Sequence, residues 1–196
     1  MNVPNKITMC RIILSIILLI VLIFPLEGLG IDFPEIRINS KILIDSKDII
    51  CGIIFVVASL TDFLDGFLAR KYNIVTDLGK VMDAIADKIL VNGVLIVLAC
   101  NGYISVIIPV VIVSRDIAVD SIKMIAGQKN GAVAASKTGK AKTALMLIGI
   151  ILVLFNDLPF AIWGVYPGKI IIMIATVLSI MCGVEYYNKN RKYIIS

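Results

Sequence analysis

Four aspartates, Asp62, Asp65, Asp83 and Asp87, lie close together in the sequence, inside two long apolar stretches. A carboxylate in a membrane-length apolar segment is costly and marks a functional position by default. On helices, Asp62 and Asp65 stand at i,i+3 and Asp83 and Asp87 at i,i+4, so each pair shares a face. Gly66 lies one turn from Asp62 and Ala69 one turn from Asp65, which leaves room beside the first pair for a ligand backbone. Gly79, Asp83 and Asp87 follow one another at intervals of four on the second stretch. Four neighbouring carboxylates repel one another unless a counter-charge joins them. Divalent cations supply it, and an all-oxygen donor set suits Mg²⁺, Mn²⁺ or Ca²⁺ rather than zinc. Two such ions about 4 Å apart clamp a diphosphate and hold charge on the attacking and leaving oxygens of a displacement. The competing reading is a set of interfacial ion pairs with Arg70, Lys71, Lys80 and Lys88, but ion pairs do not need small residues at matching turns.

The chain contains no histidine. That excludes a Ser-His-Asp triad, a Cys-His pair and imidazole metal ligands. Cys10, Cys51, Cys100 and Cys182 show no CxxC spacing, and each lies in or beside an apolar block, as buried unpaired thiols do. Acid-base and metal chemistry is left to Asp, Glu, Lys, Cys or Tyr.

The elements that must position these groups are membrane helices. Of the 196 residues, 59% are hydrophobic, and the mean hydropathy is +0.99; a soluble domain is about half apolar. The excess falls in six blocks, approximately residues 7–29, 48–70, 79–100, 104–127, 141–157 and 168–187, against the ~20 residues a spanning helix needs. The expected fold is all-α: one domain over residues 1–196, polytopic, with six transmembrane helices. The run Ile12–Phe24 follows Lys6 and Arg11 as a signal peptide would, but it lacks a small-residue cleavage site and reads as a retained first span. Pro25 ends that span, and Asn156, Asp157 and Pro159 end the fifth.

With the N-terminus cytoplasmic, the inner segments hold Lys6, Arg11, Arg70, Lys71, Lys80, Lys129, Lys137, Lys140, Lys142, Lys189, Arg191 and Lys192. The outer ones hold only Arg37, Lys41, Lys47 and Lys169. This imbalance puts both termini in the cytoplasm. The four aspartates then sit at the cytoplasmic ends of the second and third spans, which a short turn joins as an antiparallel pair. The longest outer stretch, Gly30–Lys47, reads as a solvated loop with room for a short interfacial helix.

The segment Asp62-Phe-Leu-Asp65-Gly66-Phe-Leu-Ala69-Arg70, followed by eight residues, Gly79, three residues, Asp83, three residues and Asp87, resembles the complete signature of the CDP-alcohol phosphotransferase family. The resemblance implies six transmembrane helices, a homodimer, and an active site facing the cytoplasm with Mg²⁺ or Mn²⁺, two ions, as cofactor. It implies that Asp62, Asp65, Asp83 and Asp87 bind metal, and that Asp87 is also the catalytic base on the acceptor hydroxyl. Gly66, Ala69, Arg70 and Gly79, with Asp62, Asn5 and Thr8, would line the cytidine-nucleotide site.

The signature does not choose the acceptor alcohol. Arg115 and Asp116 lie inside the fourth apolar block, and the fifth opens with Lys137-Thr-Gly-Lys140-Ala-Lys142. Arg115, Lys140 and Lys142 make a cationic pocket suited to an acceptor that carries its own phosphate. The alternative is a solvated basic loop against anionic headgroups. Val3-Pro4-Asn5-Lys6-Ile7-Thr8, Ser114-Arg115-Asp116-Ile117-Ala118, Ala134-Ala135-Ser136 and Gly139-Lys140-Ala141-Lys142-Thr143 resemble the bacterial branch of the family that joins CDP-diacylglycerol to sn-glycerol 3-phosphate. That likeness implies those two substrates and adds Ser136 to the acceptor-phosphate set. Asp116 and Ala84 depart from that branch, which more often has glutamate and proline there. Other acceptors, namely inositol phosphate, serine or phosphatidylglycerol, stay open. So does a small cation transporter, although the acids gather at one edge and no internal repeat accompanies them. A membrane lipid partner is expected and a nucleic acid is not.

Overall fold

The structure, a computed structural model, describes residues 3–24, 33–39, 42–71, 77–130 and 137–195. Six helices follow one another: α1 (Val3–Ile23), α2 (Ser46–Lys71), α3 (Asp77–Cys100), α4 (Ile107–Asn130), α5 (Lys137–Leu154) and α6 (Pro167–Ile195). The six apolar blocks each correspond to one of them. The stretch expected as a solvated loop instead carries a small antiparallel hairpin, β1 (Glu35–Asn39) with β2 (Ile42–Asp45), Glu35 facing Asp45 and Ile36 facing Ile44. Alternation in Glu-Ile-Arg-Ile-Asn suits a strand, and Ile44 is buried against Ala161 in a short 3₁₀ turn, Phe160–Trp163. That distant contact gives the hairpin a base which its own residues do not announce.

Two helices, over Asn5–Ile23 and Pro167–Arg191, are long and apolar enough to cross a bilayer by length and composition alone. The other four carry most of their charges toward one end: Asp62 and Lys71 late in α2, Lys80, Asp83 and Asp87 early in α3, Arg115 and Asp116 near the middle of α4 with Asp120 and Lys123 beyond them, and Lys137, Lys140 and Lys142 at the start of α5. Ion pairs and hydrogen bonds between these helices gather the charged ends at one end of the bundle.

The interior is apolar. Leu18, Phe55, Val94, Leu98, Ile150 and Ile172 are among its fully buried side chains. Helices in lipid gain little from hydrophobic burial against one another and rely on close packing at small residues. A Cβ on Gly93 would stand 2.8 Å from a Leu19 methyl, and one on Gly149 would stand 2.6 Å from Ile172 Cγ1 and 3.1 Å from its backbone nitrogen. These two glycines let α3 close on α1 and α5 close on α6.

At the other end of the bundle, the Tyr103 hydroxyl donates to Asp48 at 2.8 Å, tying the α3–α4 turn to α2. Asn156 and Asp157 take left-handed backbone (φ 53° and 56°), which these residue types tolerate. The chain thereby leaves α5, and Asp157 Oδ1 accepts from Gly168 N at 2.5 Å near the start of α6.

The second and third spans form the expected consecutive helices α2 and α3, and among the described residues α1 packs extensively against both, while α2 and α3 touch each other less. The reason is on α1: Asn5, Thr8, Arg11, Ser15, Leu18 and Leu22 recur every three or four residues and are all buried, a continuous face that fits between two neighbours.

Candidate active site

Among the described side chains, Arg11 is the most buried charge of the site, its side chain 1% exposed. Counted from the sequence with the loop charges, it is an interior residue. Its guanidinium donates from Nη1 to Asp62 Oδ1 on α2 and from Nη2 to Asp83 Oδ1 on α3. The Arg11 carbonyl accepts from Ser15 Oγ at 2.8 Å, one turn along α1. The two carboxylates are 45% and 52% exposed on their other sides. Guanidinium is the natural cation here, because its planar fork reaches two acceptors at once.

Asp62 and Asp83 are thus brought together, on two helices, around one positive charge. Asp87 stands one turn beyond Asp83 on α3 and opens onto a cavity. Asp65, Ala69 and Arg70 are placed on α2 by the backbone alone, and Ser136 lies outside the described residues. Gly66 and Gly79 are half-buried on α2 and α3, while Asn5 and Thr8 are buried on α1 along the Arg11 face. Among the described side chains, which leave out that of Asp65, no three acidic or thiol groups cluster tightly enough to hold a metal ion. The pair Asp62 and Asp83 nevertheless fits one: two hard oxygen donors from two helices already converge on a single cation.

The cavity holds about 690 Å³ between α3, α4, α5 and α6. Asp87 and Lys88 line it from α3, Arg115, Asp116, Asp120 and Lys123 from α4, and Lys140 and Lys142 from α5. The cations singled out for an acceptor phosphate therefore share one space with Asp87. Asp116 organises two of them: it accepts from Arg115 Nη1 at 2.9 Å and from Lys142 Nζ at 3.4 Å. Arg115 Nε donates to the Ser179 carbonyl of α6 at 3.0 Å. The stem of Arg115 passes Gly183, where a Cβ would stand 3.2 Å from Arg115 Cγ. Lysine and arginine in this cavity number five, against three aspartates, so it carries a positive excess.

Sequence reasoning missed three contributors. Arg11 was assigned to topology, although its i,i+3 and i,i+4 spacing with Thr8 and Ser15 was a readable sign of a polar buried face. Lys88, considered as a partner for the four aspartates, pairs instead with Asp120 of α4, which also takes Lys123 at 3.6 Å. Tyr186 lies under the Lys123 ammonium, 5.6 Å from the ring centre. Neither contact has a local signal.

The sequence is similar to known proteins over nearly its whole length. The profile of the CDP-alcohol phosphatidyltransferase family matches residues 1–181. A Bacillus subtilis (strain 168) protein named CDP-diacylglycerol–glycerol-3-phosphate 3-phosphatidyltransferase is 33% identical over 96% of this chain and 95% of its own. A protein of the same name from Rickettsia bellii (strain RML369-C) is 35% identical over 98% and 97%, and one from Salmonella choleraesuis (strain SC-B67) is 29% identical over 97% and 95%. A family match over nearly the whole length, together with relatives that align from end to end, shows that the chain belongs to the CDP-alcohol phosphatidyltransferase family.

Proposed function

We propose that this chain transfers the phosphatidyl group of CDP-diacylglycerol to sn-glycerol 3-phosphate, giving phosphatidylglycerophosphate and CMP for phospholipid synthesis. The observation that carries the reading is the shared cavity. It joins a carboxylate from the four-aspartate signature, Asp87, to Arg115, Lys140 and Lys142. A base and a phosphate-binding group must act on the same small alcohol, and here they face the same space. The names of the near full-length relatives point to the same two substrates.

Asp87 accepts the proton of the acceptor's primary hydroxyl. The freed oxygen attacks the phosphorus that bears diacylglycerol, the bond from that phosphorus to the CMP oxygen breaks, and CMP departs with the electron pair. Arg115 and Lys142, oriented by Asp116, hold the acceptor phosphate with Lys140, while Ser136 would add a hydroxyl donor. Asp62, Asp65, Asp83 and Asp87 would hold Mg²⁺ or Mn²⁺, two ions, which neutralise the diphosphate and the leaving charge. Gly66, Ala69, Arg70 and Gly79, with Asn5 and Thr8, would receive the cytidine nucleotide.

In this reading all six helices span the cell membrane as one domain over residues 1–196, with both termini and the active site on the cytoplasmic side. The excess of inner over outer lysine and arginine supports that orientation. The lipid tails of the donor stay in the bilayer while its headgroup enters between the helices. Family likeness favours a homodimer.

The positive excess of the cavity favours a phosphorylated acceptor over serine, which brings no phosphate to five cations. The deciding experiment supplies purified protein with CDP-diacylglycerol and Mg²⁺, then adds glycerol 3-phosphate, inositol phosphate, serine or phosphatidylglycerol separately. CMP release should depend on glycerol 3-phosphate. Release that follows another acceptor, or that ignores all four, overturns the assignment.

A further inference from the structure

Arg11 brings its charge to Asp62 and Asp83 from the interior of the bundle, while both carboxylates are about half exposed on their opposite sides. The acids come from α2 and α3, which touch only over a small area, and the arginine comes from the helix wedged between them. One guanidinium, through two amino groups, therefore sets the spacing of two carboxylate oxygens on two separate helices. A divalent ion entering from the exposed side would draw on the same two carboxylates. A cation already in contact with them takes up their charge, and it also repels a second cation arriving beside it.

We propose that Arg11 is a tethered competitor of the divalent ion: it occupies the Asp62 and Asp83 carboxylates and must give them up when the metal binds. This rests on the proposed metal-dependent reaction, and it adds that the chain supplies its own counter-charge at that site. The arrangement has two consequences. It neutralises two acids that would otherwise repel each other across α1. It also lowers apparent metal affinity, because binding is weakened by the fraction of molecules in which the carboxylates are engaged. A site built this way favours a metal that arrives with, or is held by, an anionic diphosphate, whose charge offsets the repulsion from Arg11.

Mn²⁺ binding to the purified full-length protein in detergent, read from the electron paramagnetic resonance of the free ion, tests this without turnover. Arg11→Met removes the charge. Arg11→Lys keeps a charge but cannot fork to both carboxylates, and it serves if the first variant fails to fold. Both should bind Mn²⁺ more tightly than the unaltered chain, Arg11→Met by at least about tenfold, as expected when a competing state holds most of the population, and Arg11→Lys by a smaller factor because its charge remains. In EDTA both should melt at lower temperature than the unaltered chain, and saturating Mn²⁺ should close most of that gap. Unchanged or weaker Mn²⁺ binding by Arg11→Lys overturns the competition and leaves Arg11 as a fixed structural tie. Absence of Mn²⁺ binding in all three forms overturns the metal reading itself, together with this inference.

Discussion

Lys142 of α5 and Asp116 of α4 meet across the cavity, Nζ to Oδ1 at 3.4 Å. Because the same oxygen takes Arg115 Nη1 at 2.9 Å, one carboxylate fixes two cations from different helices before any anion arrives. Groups held in place in advance lose less freedom on binding. Arginine is further anchored by its bond to the Ser179 carbonyl, so its fork has a set direction. Arg115→Lys keeps the charge and loses the fork. Loss of a charge-assisted hydrogen bond, worth roughly 1.5–3 kcal/mol, should raise KM for glycerol 3-phosphate by about tenfold or more. KM for CDP-diacylglycerol should stay within about twofold. Steady-state kinetics with each substrate varied in turn checks this, and an equal rise in both constants would show that Arg115 does not act on the acceptor.

Asp87→Asn separates chemistry from binding. The amide keeps the shape of the side chain and cannot take the hydroxyl proton. Turnover should fall by a factor of about 10²–10⁴, the range for loss of a general base, with the protein still folded and still binding CDP-diacylglycerol. CMP release and a lipid-binding isotherm on the same preparation decide it; near-normal turnover would remove Asp87 from the proposed role.

Metal dependence should follow the carboxylates. EDTA should abolish CMP release, and Mg²⁺ or Mn²⁺ should restore it. Asp62→Asn should shift the Mg²⁺ activation curve to higher concentration by roughly ten- to a hundredfold, a range like that seen when a metal's supporting groups are lost. Activation at unchanged Mg²⁺ concentration would mean that Asp62 serves only as a partner for Arg11.

These predictions draw on features of unequal legibility. The aspartates could be read because a carboxylate in an apolar block has few explanations, and the helical spacing put Asp62 with Asp65 and Asp83 with Asp87. The six helices could be read from the same blocks. Arg11 could not be placed so easily, since a single arginine near a first span is also what orientation in a membrane requires. Its spacing with Thr8 and Ser15 marks a polar buried face, but its partners depend on α1 entering between α2 and α3, a long-range contact. The pairing of Lys88 with Asp120 is equally remote in sequence. The hairpin was hidden for another reason: its strands are only five and four residues long, and the buried partner of Ile44 is Ala161, far away in the sequence.

Two glycines should answer differently to the same added methyl. At Gly149 the new Cβ meets Ile172 Cγ1 at 2.6 Å, Ile172 N at 3.1 Å and the Gly168 carbonyl at 3.3 Å. Backbone forms part of that wall and cannot turn aside, so α5 and α6 must separate. Gly149→Ala should lower stability by roughly 1–3 kcal/mol, the usual cost of overpacking. Activity per folded molecule should hold, because the crossing lies away from the cavity-lining residues. At Gly183 the obstacle is Arg115 Cγ at 3.2 Å, part of a flexible stem that can yield. Replacing glycine by alanine inside a helix gains about 1 kcal/mol, which offsets much of the displacement, so the melting temperature of Gly183→Ala should change little. The stem can yield only by moving the guanidinium away from Asp116 and the Ser179 carbonyl. KM for glycerol 3-phosphate should therefore rise several-fold, and further for Gly183→Val. Thermal unfolding in detergent beside acceptor kinetics distinguishes the two positions: a Gly183 series that loses stability without any change in KM would show that Arg115 does not set the acceptor site.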